Sequence, residues 1–408
     1  MGLQFSVPGW NYSCNPVFCL GGIMLENKKK FCVVFAGGGT GGHIYPGIAV
    51  ADELQSLAKS HNVEIEIHWI GSSSGMDRSI VEKNLVSCGG SITAFHGIAC
   101  GKLRRYFSFR NFTDLFKIFF GFVSSYFLLK KLKPNCLFSK GGFVSVTPCR
   151  ACKLLKIPYF THECDFTPGL ATRLNSGGAK KILVSYEETS GYFKESLRSK
   201  ICVTGNPVRP VFYEDNSSAG REFLGIPETN SKPILLVLGG SLGALQINNL
   251  VVENLDYLKK NFIVIHQTGK KFADENPKIM ESGDEFYKPY AFIYSQMPSV
   301  IQAADIVLSR SGANSLWECA VTSKPMILIP LCSNGSRGDQ VDNAKYFKDK
   351  NAAFMLVGED ATSDKLIECL ESLKDKTKRE QFSDSLKIIC GKEKPVSRIA
   401  GIVLEEMQ

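Results

Sequence analysis

The residues best suited to chemistry lie in a glycine-rich loop, AGGGTGGHIYPG at 36–47, which follows the apolar run FCVVF. Gly37, Gly39 and Gly42 have the G-x-G-x-x-G spacing of a turn between a strand and a helix. Glycines at these positions let backbone N–H groups approach a phosphate at the positive end of the helix. The loop is therefore predicted to bind a phosphate group.

Two features argue against NAD and against a P-loop. An NAD site needs an acidic residue about 20 positions on, at the end of the next strand, to hold the ribose. That strand ends in WIGSSSG, and Glu66 lies inside it rather than at its tip. No lysine follows the glycines, which excludes a P-loop. The loop instead ends with Thr40 and His43, which place a hydroxyl and an imidazole near the predicted phosphate.

The same pattern, a glycine-rich turn between a predicted strand and a predicted helix, recurs twice later in the chain. LLVLGGSLGALQINN (235–249) contains Ser241 among its glycines, and IVLSRSGANSLWE (306–318) places Glu318 about one turn into a helix. Two glycine turns in one domain can hold a diphosphate between them, and a carboxylate such as Glu318 can accept hydrogen bonds from ribose hydroxyls. The alternative is that each loop serves only as a tight turn.

Composition indicates an ordinary globular protein that is long enough for two domains. The chain has 408 residues, of which 44% are hydrophobic and 22% charged. Its net charge of +8 suits an anionic membrane, a phosphorylated ligand or nucleic acid, and by itself selects none of them. The 14 cysteines are scattered singly through apolar segments, which favours reduced thiols over disulfides.

Short β-branched or aromatic runs alternate with helical patterns, which predicts parallel sheets with helices on both faces. The pattern stops at a polar stretch, 213–233, and restarts at ILLVLGGS. We therefore expect two doubly wound α/β domains in series, with a cleft between them. Residues 1–23 lack the basic region and the long apolar run of a secretory signal, and we expect an unstructured extension there, with Met24 an alternative start.

The segment 101–133 combines strong positive charge with aromatic side chains. It contains eight basic residues, one acid, eight phenylalanines and two tyrosines. This composition is typical of a helix lying on an anionic membrane surface, and the alternatives are a core helix with solvated ends or a single-stranded nucleic-acid site. No RNA-binding module lies nearby, so nucleic acid is not expected. The residues predicted to face the membrane are Arg104, Arg105, Arg110, Lys117, Phe119 and Phe120.

Seven motifs, in this order, resemble those of the MurG family: GGTGGHIYPG, SKGGFVSV, HECDFTPGLATR, VTGNPVRP, LGGSLGA, SRSGANSLWE and SRGDQVDNA. Members of this family transfer N-acetylglucosamine from UDP-N-acetylglucosamine to lipid I, which gives lipid II for peptidoglycan. The resemblance covers residues 31–405. It implies a GT-B fold of two Rossmann-like domains and an inverting reaction that uses no metal or other cofactor.

The resemblance also implies the limits of the two domains and the location in the cell where the enzyme would act. The acceptor and membrane-facing domain would comprise 24–208 together with a C-terminal helix, 394–408, that crosses back onto it. The UDP-sugar-binding domain would comprise 209–393. The enzyme would act as a peripheral protein at the cytoplasmic face of the inner membrane, with UDP-N-acetylglucosamine, polyprenyl-linked lipid I and an anionic lipid surface as its partners.

Donor-binding residues follow from the resemblance, position by position. They are Thr40, Gly41, Gly42, Asp165, Arg209, Ser241, Ile293, Ala313, Asn314, Ser315, Leu316, Trp317, Glu318 and Gln340. Many relatives have HEQN where this chain has His162-Glu163-Cys164-Asp165, so the aspartate replaces an asparagine that contacts the sugar.

The reaction needs a base for the attacking hydroxyl and positive charge for the departing UDP. Arg209 and helix N-termini can supply the charge. His43 is the first candidate for the base because the unperturbed pKa of histidine lies near working pH. Its alternative role is phosphate binding or helix capping, and Glu163 and Asp165 are rival bases.

Three other functions remain open from the sequence. The chain could be a GT-B glycolipid transferase with another acceptor such as diacylglycerol. It could be a UDP-sugar epimerase on the same architecture, which would need no lipid acceptor. It could also be an inactive nucleotide-sugar-binding protein, although Arg209, Glu318 and Gln340 argue against that interpretation.

Overall fold

A computed structural model describes residues 29–102, 110–239, 243–332 and 338–407 of the chain. The expected extension at 1–23 lies outside the described residues, as do Arg104, Arg105 and Ser241. The side chain of Arg110 is outside them as well.

The first domain is built on a seven-stranded sheet in the order β3-β2-β1-β4-β5-β6-β7, with parallel pairing throughout the described strands. The strands are β1 Lys30–Gly37, β2 Glu64–Ser72, β3 Ala94–Ile98, β4 Cys136–Gly141, β5 Tyr159–Glu163, β6 Lys181–Val184 and β7 Ile201–Val203. The helices are α1 Gly41–Ser60, α2 Asp77–Glu82, α3 Arg110–Leu132, α4 Val146–Leu155, α5 Leu170–Ser176 and α6 Glu195–Arg198. Because helices cover both faces, central strands such as β1 and β8 contain largely buried apolar runs, FCVVF and ILLVL.

The second domain repeats the arrangement with a six-stranded parallel sheet in the order β10-β9-β8-β11-β12-β13. The strands are β8 Ile234–Leu238, β9 Ile263–Gln267, β10 Tyr287–Tyr290, β11 Ile306–Ser309, β12 Met326–Leu328 and β13 Ala353–Met355. The helices are α7 Ser217–Leu224, α8 Leu245–Glu253, α9 Leu255–Asn261, α10 Lys270–Glu275, α11 Pro277–Glu281, α12 Met297–Ala303, α13 Ala313–Val321, α14 Asp339–Asp349, α15 Ser363–Lys374 and α16 Lys376–Cys390.

Both sheets reverse their strand order at one point, between β1 and β4 in the first and between β8 and β11 in the second. Loops at the carboxyl ends of such a pair of strands diverge and leave a crevice where ligands bind. The glycine loops follow these four strands, so each domain presents two of them at one crevice. The expected pair of doubly wound α/β domains is confirmed.

The last helix, α17 (Pro395–Glu405), returns to the first domain and packs against α1. Its apolar face joins the core that contains Phe35 and Trp69. The buried residues that α17 contributes to this core are Val396, Ile399, Ala400, Val403 and Leu404. The first domain therefore depends on residues from the end of the chain.

Ile399→Ala should destabilise the first domain, because Ile399 is fully buried and truncation leaves a cavity. We expect a loss of about 2–5 kcal/mol in the free energy of unfolding, measured by urea denaturation. Ile388→Ala is the matched control, since Ile388 is 82% exposed and its truncation should change stability by less than about 0.5 kcal/mol. Equal effects of the two substitutions would contradict a core role for α17.

Candidate active site

The first glycine loop is held in shape by a buried carboxylate, Asp77. Its Oδ1 accepts a hydrogen bond from the Gly39 N–H at 2.8 Å, and its Oδ2 accepts one from the Ser72 N–H at 2.8 Å. A Cβ placed on Gly38 would lie 1.8 Å from Asp77 Oδ2, so no larger residue fits there. Asp77 was not predicted from the sequence. It is the first residue of α2, which follows β2, and only the fold brings it next to the loop.

Thr40 and His43 meet at the mouth of a cleft of about 380 Å³ in the first domain. Thr40 Oγ1 lies 2.9 Å from His43 Nδ1. When Nδ1 donates to this hydroxyl, Nε2 carries the lone pair that can accept a proton. The second loop of this domain lies against the ring, because a Cβ on Gly142 would be 3.3 Å from His43 Cγ. The geometry therefore holds an oriented imidazole between two glycine loops.

Glu163 is buried beside the same cleft, where its carboxylate is bound by backbone groups. Oε1 accepts hydrogen bonds from the N–H groups of Cys164 and Asp165, at 3.0 and 3.1 Å, and Oε2 accepts one from Gly169 at 2.8 Å. These three bonds engage both oxygens of the carboxylate. Glu163 thus holds the loop after β5 in shape through its backbone partners.

A metal ion has one candidate position among the described residues. Ligand atoms of Glu163, Cys164 and Asp165 lie within 4.8 Å of one another. A cation there would have to displace backbone N–H groups from the Glu163 oxygens, and Asp165 Oδ1 already accepts a bond from Asn343 Nδ2 at 3.1 Å. The set fits a resident metal poorly.

The second wall of the site centres on Arg209 and Glu318. Arg209 Nη2 lies 3.8 Å from Glu318 Oε1, and its guanidinium lies 5.9 Å from the Tyr45 ring centroid and 5.1 Å from that of Phe212. Burial raises the pKa of Glu318 to about 7, while the nearby Arg209 charge acts to lower it. A carboxylate and a guanidinium are thereby held at the interdomain opening, where Gly41 also lies.

Three other predicted donor residues, Ile293, Ser315 and Gln340, line two further cavities. Ile293, Ser315 and Glu318 line a cavity of about 440 Å³, and the Ile293 N–H donates to Gln267 Oε1 at 2.9 Å. Gln340 lines an adjoining cavity of about 470 Å³ beside the glycine turns of the second domain.

The remaining members of the α13 motif pack away from these cavities or bridge the domains. Leu316 and Trp317 are buried in the core, where Trp317 Nε1 donates to the Tyr186 hydroxyl at 3.1 Å, and Ala313 is also buried. Asn314 borders the smaller opening shared with Gly42, and its Nδ2 donates to the Gly42 carbonyl at 3.0 Å.

Comparisons with known proteins agree with this architecture. The glycosyltransferase family 28 N-terminal domain matches residues 33–184, and the glycosyltransferase family 28 C-terminal domain matches residues 234–400. The chain is thus a two-domain glycosyltransferase of the GT-B type.

The UDP-N-acetylglucosamine–N-acetylmuramyl-(pentapeptide) pyrophosphoryl-undecaprenol N-acetylglucosamine transferase of Treponema denticola is 54% identical over 350 residues, which is 84% of this chain and 88% of that one. The protein of the same name from Borreliella afzelii is 39% identical over 89% of this chain and 93% of its own. The chain therefore belongs to the MurG family.

Solved structures show the same fold. The crystal structure of Acinetobacter baumannii MurG superposes with a TM-score of 0.69 at 21% identity, covering 92% of this chain and 99% of that one. The UDP-GlcNAc 2-epimerase of Neisseria meningitidis, bound to UDP-GlcNAc, superposes with a TM-score of 0.61 at 16% identity, covering 93% and 99%. At these identities the likeness concerns the fold alone, so fold does not separate transferase from epimerase.

Glu318 should make stability in the absence of donor depend on pH. The pKa of Glu318 rises from an ordinary 4.5 to about 7 in the folded protein. The side chain therefore contributes fully to the free energy of unfolding below pH 4.5, and this contribution is lost as the pH rises through 7. The loss is at most about 3 kcal/mol, because the side chain remains a quarter exposed. Glu318→Gln has no such titration, so the melting temperature of the parent should fall relative to this variant between pH 5 and 8. Parallel melting curves across this range would contradict the assignment.

Proposed function

We propose that the protein transfers N-acetylglucosamine from UDP-N-acetylglucosamine to the 4-hydroxyl of lipid-linked N-acetylmuramoyl-pentapeptide. The carrying observation is that one loop holds both the Thr40–His43 pair, which lines the first-domain cleft, and Gly41, which lines the opening that Arg209 and Glu318 also line. The names of the relatives at 54% and 39% identity support the same reaction.

In this reaction, His43 Nε2 takes the proton of the acceptor hydroxyl as the oxygen attacks C1 of the donor sugar. The bond from C1 to the UDP oxygen breaks on the opposite face, so the configuration inverts and a β-1,4 linkage forms. Negative charge develops on the leaving diphosphate, where the Arg209 guanidinium and the N-terminus of α13 can stabilise it. Glu318 accepts hydrogen bonds from the ribose.

The decisive assay incubates the protein with labelled UDP-N-acetylglucosamine and a lipid I analogue and measures disaccharide-lipid. His43→Ala should lower kcat by roughly 100-fold or more, because general-base catalysis contributes that much. UDP affinity by calorimetry should be nearly unchanged, since the imidazole belongs to the acceptor side.

Glu318→Ala is the matched control and should behave in the opposite way. It should weaken UDP binding by roughly 10- to 150-fold through the loss of charge-assisted hydrogen bonds. A His43→Ala loss below about tenfold would move the base elsewhere. Formation of N-acetylmannosamine instead of disaccharide-lipid would favour the epimerase.

Attachment to a membrane is proposed through α3, whose outer face is apolar. Its exposed large side chains are Phe112, Leu115, Phe116, Phe119, Phe120 and Phe127, each at least 54% exposed. Lys117 on the same helix is exposed and lies 3.5 Å from Asp114. Aromatic side chains beside basic residues suit the interface of an anionic bilayer. The cleft that contains His43 opens next to this helix, because Ile118 of α3 lines it.

The connectivity of α3 supports a position on the membrane rather than through it. The stretch Phe112–Leu132 is long and apolar enough to cross a bilayer by length and composition. However, α3 joins β3 to β4, and both strands belong to the same sheet. A spanning helix would place its two ends on opposite sides of the bilayer and would separate these strands. We therefore propose that α3 lies in the interface and that the protein is peripheral.

The double variant Phe116→Glu/Phe119→Glu should reduce binding to anionic vesicles by at least roughly tenfold, because each exposed phenylalanine would otherwise bury apolar area in lipid. Co-sedimentation measures this. Val86→Glu/Ile388→Glu is the matched control, with two exposed aliphatic residues elsewhere that should leave vesicle binding unchanged. Activity on a short-chain soluble acceptor should survive in both. Undiminished sedimentation of the first variant would exclude α3 as the docking surface.

A further inference from the structure

A lysine is buried at the switch point of the first sheet. Lys140, near the end of β4, is 1% exposed. Its Nζ lies 3.1 Å from His162 Nδ1 and 3.4 Å from Asn206 Oδ1. Burial and the Lys140 charge hold the pKa of His162 well below its usual range, so both partners of the ammonium are neutral. Burying a charge beside neutral groups is costly, and an apolar residue of similar size would be the ordinary way to gain stability there.

The ammonium fixes the direction of every hydrogen bond around it, because a lysine can donate and cannot accept. His162 Nδ1 must accept, so its Nε2 carries the proton and donates to the Gly205 carbonyl at 3.0 Å. Asn206 must present its Oδ1 to Lys140. Its Nδ2 therefore points the other way and donates to Asn314 Oδ1 at 3.0 Å.

The donor-to-acceptor direction of these hydrogen bonds also determines the bonds that cross the domain boundary. With its Oδ1 bound to Asn206, Asn314 has only its Nδ2 to offer to the Gly42 carbonyl, 3.0 Å away. Gly42 is in the first turn of α1, next to His43, and Asn314 is in the first turn of α13, one turn before Glu318. The chain Lys140–Asn206–Asn314–Gly42 therefore joins the two walls of the site.

We infer that Lys140 is a positioning residue, which acts through Asn206 and Asn314 to fix the first turn of α13 against the first glycine loop. This inference rests on the proposed function. Under this inference, the position of His43 relative to α13 depends on the donor-to-acceptor direction, here called polarity, of the buried hydrogen-bond chain from Lys140 to Gly42. Small errors in such placement cost large factors in rate, because the reacting atoms must be close and aligned.

Lys140→Met removes the donor that sets this polarity. Turnover with a soluble acceptor analogue should fall roughly 10- to 100-fold. The Kd for UDP should change by less than about threefold, because uracil and ribose are held within the second domain. The matched control is Lys153→Met, an exposed lysine of α4, which should leave both quantities unchanged. A Lys140→Met protein with the kcat of the parent would overturn the inference.

Asn206→Asp tests the polarity without removing the lysine. The new carboxylate still accepts from Lys140, now as an ion pair, but it cannot donate to Asn314. If Asn314 turns its amide to donate to this carboxylate, its Oδ1 then faces the Gly42 carbonyl and the last bond is lost. We expect a folded protein, by melting temperature, whose kcat is lowered as in Lys140→Met. Full activity in this variant would show that the polarity is irrelevant.

A double-mutant cycle separates positioning from direct ligand contact. If Lys140 acts through Asn314, then Lys140→Met/Asn314→Ala should lose no more kcat than the more damaging single variant. Additive losses would mean that Lys140 acts on a ligand directly, and the inference would be wrong. If the parent forms no disaccharide-lipid at all, the proposed function fails instead, so the two failures are distinguishable.

Discussion

The hydrogen bonds of Asn343 join the two domains at the base of the site. This side chain is fully buried, accepts from the Phe166 N–H at 2.8 Å and donates to Asp165 and to the Ser311 carbonyl. Each of these groups would be costly to bury without its partner. Because Ser311 precedes α13 and Asp165 follows β5, these bonds help to set the distance between α13 and the cleft that contains His43. The rest of the site depends on that distance.

The two walls contribute different physical properties. The first domain offers backbone N–H groups, an imidazole and an apolar outer helix, α3. The second offers a guanidinium and a carboxylate held in partial burial. In the proposed reaction, the charged nucleotide would bind at the wall of Arg209 and Glu318, and the lipid-linked acceptor would bind beside α3. Under that proposal, the two-domain arrangement would bring a charged site and a lipid-facing site beside one reacting bond.

The sequence predicted the α/β class, the two domains and the glycine loops, because alternating strands and helices and strand–glycine–helix junctions are local patterns. Motif resemblance singled out Arg209 and Glu318, which line one cavity, and also Leu316 and Trp317, whose buried side chains belong to the core. A motif does not tell which of its residues contact a ligand and which pack. Asp77 and Lys140 could not be predicted, since their partners Gly39 and Asn206 lie 38 and 66 positions away and meet them only in the folded domain.

The return of α17 to the first domain has a consequence for synthesis on the ribosome. The chain emerges from its N-terminus, yet the core around Phe35 and Trp69 also needs Val396 to Leu404. That core lacks the α17 side chains until residues 396–404 have left the exit tunnel, whereas the described strands and core helices of the second domain have by then been made. The order of completion is thus the reverse of the order of translation, and the domain that would meet the lipid is the last to close.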